Sequence, residues 1–237
     1  MRADITHELH PATADSGTLV VAFASAQPQG APPRYRWYRA LSDAPCHRLF
    51  VLDDHGLPGP PPGPSWFLGR QGSGVAGSVC DLIERTAAQL GAARTVTIGS
   101  SMGGWAALYF GARVGAGHVI AGDPQTRLGD YLCGPAFHPI AEHVAGGSAP
   151  RERRRLDGLL FDAVRAAPAP PHVHVCCGRE SSHYERHVLP LLALLSELGA
   201  QSELELGDYS DHEGIASHFP VFLRRCLDEV LGLARDP

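Results

Sequence analysis

Charge is scarce in this chain, and positive charge is not in excess. Charged residues make up 19% of the 237, and the formal net charge is −5. That balance gives no electrostatic reason to bind nucleic acid or an anionic membrane surface, so neither is expected as a partner. No apolar run reaches the length of a membrane span. The first residues, MRADITHELHPATADSG, lack the apolar stretch of a secretory signal, and a cytoplasmic protein is expected. The six cysteines (Cys46, Cys80, Cys133, Cys176, Cys177 and Cys226) form no C-x-x-C pair. They read as reduced core residues, which argues against a disulfide framework. No internal repeat is present, so a solenoid or propeller is not indicated.

What is present is enough apolar residue, 44%, to build one sizeable core, and the length suits a single domain over residues 1–237. The 27 glycines and 20 prolines gather in loops such as QPQGAPPR (27–34) and GLPGPPPGPS (56–65). Continuous apolar runs alternate with helical patterns. TLVVAFAS (18–25), HRLFVLDD (47–54), TVTIGS (95–100), HVIAGDPQ (118–125), HVHVCCGR (172–179) and SELELGD (202–208) read as strands. Helices are predicted over 78–92 with Gly91 as its stop, then over the segment after residue 101, and over 151–167, 184–200 and 215–234. This alternation predicts an α/β fold, a mostly parallel central sheet with helices on both faces. Residues 126–168 are predicted to form a small cap-like insertion.

The sharpest signal is Gly99-Ser100-Ser101-Met102-Gly103, a G-x-S-x-G between a β-branched strand and a small-residue helix. A nucleophilic serine there must stand on a tight, strained turn, which only small neighbours allow. Ser101 is therefore the candidate nucleophile, facing the positive end of a helix. Its N–H neighbour Met102 is one candidate oxyanion donor. The loop after TLVVAFAS, at Ala26, supplies the other.

A serine hydroxyl needs a base. In the order serine, acid, histidine, the base follows the last strand. His212 lies in a polar loop at that point, whereas His218 falls inside the next helical pattern. The acid is expected after HVHVCC, where Glu180 is the first carboxylate. Glu185, Asp123 and a Ser–His pair without a tight acid are the alternatives.

Together VVAFAS, LFVLDD, WFLG, GSSMGGWAALYFGA, GDPQTRLGDY and DHEG resemble bacterial α/β-hydrolase-fold proteins of capsular-polysaccharide biosynthesis and accessory secretion systems. The resemblance covers most of residues 18–220. It implies carbohydrate-related or other biosynthetic acyl chemistry, O-acetyl transfer or removal included. It also implies an aspartate acid in the loop that here holds Glu180 to His183, and this chain has none there.

Three rival motifs are weaker. His172-x-His174 and His183-x3-His187 have ligand-like spacings, but a buried strand face and a solvated helix start explain them without an ion. RERRR (151–155) reads as a solvated helix face. GSGVAG (72–77) lacks the Lys-Ser/Thr of a phosphate loop. No metal and no cofactor is therefore expected. The reading is a serine acyl hydrolase, esterase or thioesterase, with a small-molecule or carrier-bound ester or thioester substrate. An acyltransferase using the same site is the alternative. A hydrolase-fold module that binds partner proteins without catalysis is the reading from another class.

Overall fold

Seven strands form one sheet: β1 (His7–His10), β2 (Thr18–Phe23), β3 (His47–Val51), β4 (Arg94–Ser100), β5 (His118–Gly122), β6 (His172–Gly178) and β7 (Ser202–Gly207). Their order is β1-β3-β2-β4-β5-β6-β7; β1 runs antiparallel to β3 and every other pair is parallel. The computed structural model describes residues 3–14, 16–27, 30–59 and 63–233. Residues 28–29 and 60–62 of two predicted loops, and residue 234 of the predicted closing helix, lie outside the described residues.

The continuous apolar runs have a direct cause. All six residues of β2 are buried, because the central strands are covered on both faces. Leu19, Val21 and Phe23 face the core shared with α1 (Val75–Leu90) and α2 (Met102–Val114). Val20 and Ala22 face the other core, shared with α7 (Ile215–Val230). On the first face Phe23 stacks on Phe110 at 5.3 Å and meets the edge of Phe67 at 5.1 Å. Burying one such ring contributes about 1.5–3 kcal/mol. Gly91 ends α1 as predicted: at φ 63 its N–H reaches the carbonyls of Ala87 and Ala88.

Strand β1 was not anticipated, since its four residues are mostly exposed and carry no apolar signal. It exists by pairing along β3 at the sheet edge. Residues 126–168 hold α3 (Leu128–Leu132), a 3₁₀ turn (Pro135–Phe137), α4 (His138–Ala145) and α5 (Pro150–Ala166). Leu156, Leu160 and Val164 of α5 are buried in the main core, where α5 packs against α2 and α3. The predicted helix over 184–200 begins as a π turn (Tyr184–Val188) and continues as α6 (Leu189–Glu197). All six cysteines are unpaired, and five are buried. Among the described residues, no helix is long and apolar enough to cross a membrane.

Candidate active site

The turn from β4 into α2 is built on close approach. A Cβ on Gly99 would lie 2.3 Å from the Gly103 carbonyl oxygen, and one on Gly103 would lie 2.7 Å from that of Phe23. Side chains at either position would force the helix off the strand. Between them Ser101 takes φ 56, ψ −125, a backbone conformation that non-glycine residues rarely adopt. Its N–H is held by the Gly122 carbonyl at 2.8 Å. The hydroxyl stands at the start of α2, where unpaired helical N–H groups favour negative charge.

His212 sits in the turn between β7 and α7, which Asp211 braces by accepting the Gly214 N–H at 2.9 Å. Its Nε2 is 2.7 Å from Ser101 Oγ. His218 is elsewhere: it lies on α7, with Nε2 2.8 Å from Glu205 Oε1. Of the two histidines weighed from the sequence, His212 is the one beside Ser101.

The carboxylate beside His212 is not Glu180, which is exposed in the loop after β6. It is Asp123, just past β5, whose side chain is 0% exposed and whose Oδ2 is 3.6 Å from His212 Nδ1. The other oxygen, Oδ1, accepts from the Gly178 N–H and the Tyr209 hydroxyl, both at 3.3 Å. Among the described residues neither Oδ2 nor His212 Nδ1 makes a hydrogen bond, which leaves the two facing each other. At 3.6 Å the contact is longer than a hydrogen bond. Sequence placed Glu180 first because it follows β6. The sheet order instead brings the end of β5 directly between Ser101 and the β7 loop. Asp123 reaches the site through a left-handed backbone, φ 40, which aspartate tolerates better than most residues.

Two neighbours escaped the sequence reading. Gln125 Nε2 donates to Ser101 Oγ at 3.1 Å, while its Oε1 accepts from Trp66 Nε1 at 3.4 Å. An indole nitrogen only donates, so Trp66 fixes which end of the amide faces the serine. Trp66 is in turn set by Asp53, which is buried and accepts the Ser65 N–H at 2.6 Å and hydroxyl at 2.5 Å. Burial raises the Asp53 pKa above the ordinary carboxylate value. His183 is the second neighbour. Its ring lies 4.7 Å from that of His212, and its Nδ1 is 3.3 Å from the Asp123 carbonyl oxygen. Burial, and then the nearby His212, lower its pKa, so it favours the neutral form. The visible clue to Gln125 was the Pro124-Gln125 pair directly after β5. His183 carried a signal in its spacing to His187, but the pair read as a solvated helix start, and both residues are buried.

The loop after β2 is pinned to the end of β4: Ser25 Oγ donates to the Ser100 carbonyl at 3.0 Å. This brings Ala26 and Met102 to the wall of one cavity of about 720 Å³, with Ser101 and His212. Trp66, Tyr131, Phe137 and Ile140 line its apolar side. The last three come from the 126–168 segment, which therefore lines the same cavity as the serine. A larger hollow of about 960 Å³ lies against α7, lined by Trp37, Val221 and Arg224, and contains neither Ser101 nor His212.

No protein-family model matches the chain, and no curated protein matches it. Solved structures do. A capsule O-acetyltransferase of Neisseria meningitidis serogroup A in complex with CoA aligns with a TM-score of 0.76 at 17% identity, over 93% of this chain and 90% of that one. A glycosylation associate protein complex from Streptococcus agalactiae aligns at 0.72 and 15% identity, over 97% of this chain but 48% of that one. The fluorophosphonate-binding serine hydrolase F of Staphylococcus aureus aligns at 0.64 and 15% identity, over 91% and 84%. The fold is that of the α/β-hydrolases.

Proposed function

We propose that this chain is a serine-dependent acyl hydrolase that works through an acyl-enzyme on Ser101. The observation that carries this reading is the 2.7 Å contact between His212 Nε2 and Ser101 Oγ on a strained turn. In this reading Ser101 Oγ attacks an ester or thioester carbonyl while His212 Nε2 takes its proton. The carbonyl oxygen becomes an oxyanion and is met by the N–H groups of Met102 and Ala26. Collapse breaks the bond to the leaving group, which receives the proton from His212. Asp123 holds the ring and stabilises the imidazolium, a role that Tyr209 and Gly178 support by fixing its other oxygen. Gln125 orients the serine hydroxyl. Water, activated by His212, then attacks the acyl carbonyl and releases the acid.

A second reading is acyl transfer, with a hydroxyl acceptor in place of water. It is supported by the likeness to a capsule O-acetyltransferase over nearly the whole chain. The apolar side chains of Tyr131, Phe137 and Ile140 that share the cavity with Ser101 favour it, since an apolar wall holds water less well than an acceptor of matching shape. The donor would be a small-molecule or carrier-bound ester or thioester. The six unpaired cysteines accord with a cytoplasmic setting.

A fluorophosphonate probe tests the shared first step. The wild type is expected to label, and Ser101→Ala is expected not to. Absence of labelling in the wild type would favour a partner-binding module without catalysis. Acyl donors, acetyl-CoA and a nitrophenyl acetate among them, offered with and without a saccharide acceptor, then separate transfer from hydrolysis.

A further inference from the structure

Three imidazoles meet at the end of the sheet opposite Ser101. His118 opens β5 and His172 opens β6, and the two are register partners. His174 stands two residues on, on the same face as His172. Ring centroids are 4.3 Å apart for His172 and His174, and 5.2 Å and 5.5 Å from His118 to each of them. One ring nitrogen from each histidine lies within 4.8 Å of the other two. Glu203, the register partner of His174 on β7, closes the group. Its Oε2 is 3.2 Å from His174 Nδ1, and its Oε1 is 3.2 Å from His172 Nε2.

The hydrogen-bond pattern aims lone pairs inward. His174 is only 1% exposed, and the Glu203 carboxylate can only accept, so His174 Nδ1 carries the proton. Its Nε2 then presents a lone pair, 3.3 Å from His118 Nδ1. Two nitrogens bound at about 2.0–2.1 Å to a tetrahedral ion lie about 3.3–3.4 Å apart. A carboxylate holding the far N–H of a ligating histidine is the usual outer support of such an ion.

We propose that His118, His172 and His174 bind one divalent transition-metal ion of the zinc class, with Glu203 orienting His174. From the sequence, His172 and His174 read as core residues of one strand. The third ligand becomes visible only when β5 pairs with β6. Three nitrogen ligands leave a fourth position for water. The ion ties β5 to β6, and through Glu203 to β7. Asp123 lies five positions along the chain from His118, about 16 Å of extended strand, so the ion serves the scaffold and not the acyl chemistry.

The test uses the untagged full-length protein, stripped with chelator and titrated with Co²⁺. One Co²⁺ per chain is expected, with the visible absorption of a tetrahedral site, displaced by Zn²⁺. The double change His118→Gln, His172→Gln should weaken uptake at least a hundredfold and abolish the rise in Tm that Zn²⁺ gives the wild type. Glu203→Gln, at an exposed side chain, should fold and bind about 10–100-fold more weakly. If the double variant does not fold, Glu203→Gln decides, and unchanged affinity there overturns the proposal. So does wild-type uptake no tighter than that of the double variant, or loss of the Co²⁺ signal on His212→Gln.

Discussion

Asp123→Asn separates the acid that the structure brings to His212 from the one that the sequence favoured. Asparagine keeps the volume and accepts the left-handed backbone at φ 40, so the fold should survive. What is lost is a negative charge facing His212 Nδ1 at 3.6 Å. With an effective dielectric of about 20, that pair is worth about 4–5 kcal/mol once the ring is an imidazolium. His212 is 38% exposed, and solvent screening trims this to about 3 kcal/mol, a little over a hundredfold in rate. An amide that stabilises the wrong ring tautomer adds to the loss, for an expected fall in kcat of about 10³-fold. Glu180→Gln should leave kcat within about twofold, since surface changes rarely matter. The assay is turnover of an activated acetate ester, with Tm recorded for each variant. The reasoning is refuted if Asp123→Asn stays within tenfold of the wild type at unchanged Tm, or if Glu180→Gln falls as far.

His212→Ala should lose activity nearly as completely as Ser101→Ala, and the double variant should be no worse than either, because the pair acts as a unit; His218→Ala should keep near-normal turnover, and a larger loss at 218 than at 212 would reassign the base. Gln125→Leu should leave the buried Trp66 N–H without its acceptor and cost about 1–3 kcal/mol of stability, measured by urea unfolding. Adding Trp66→Phe should recover part of that stability but not the lowered kcat. His187 is buried, and burial first, then His183, lower its pKa to about 4, so the folded protein resists protonating it. The unfolded chain binds that proton below about pH 6.5, so stability is full above 6.5 and declines as pH falls toward 4, by about 3 kcal/mol in all. His187→Asn, which retains an acceptor for the Arg127 N–H, should flatten that slope in unfolding measured between pH 7.5 and 4.5.

The alternation of apolar runs and helical patterns was legible because the central strands are buried on both faces, which leaves continuous hydrophobic sequence. Strand β1 was not, since an exposed edge strand owes its form to its partner β3 and not to its own residues. Ser101 was legible for a local reason: the strained turn demands glycine at 99 and 103, and that demand is written in contiguous residues. His212 followed from chain order. The acid, Gln125 and the three-histidine cluster depend on which strands lie side by side. Register pairs His118 with His172, and sheet order brings the end of β5 between Ser101 and the His212 loop. Local residue types carry backbone strain and burial, whereas contacts between distant segments are decided by strand pairing. That is why Ser101 could be singled out from contiguous residues, while the choice of Asp123 over Glu180 beside His212 was made only by the folded chain.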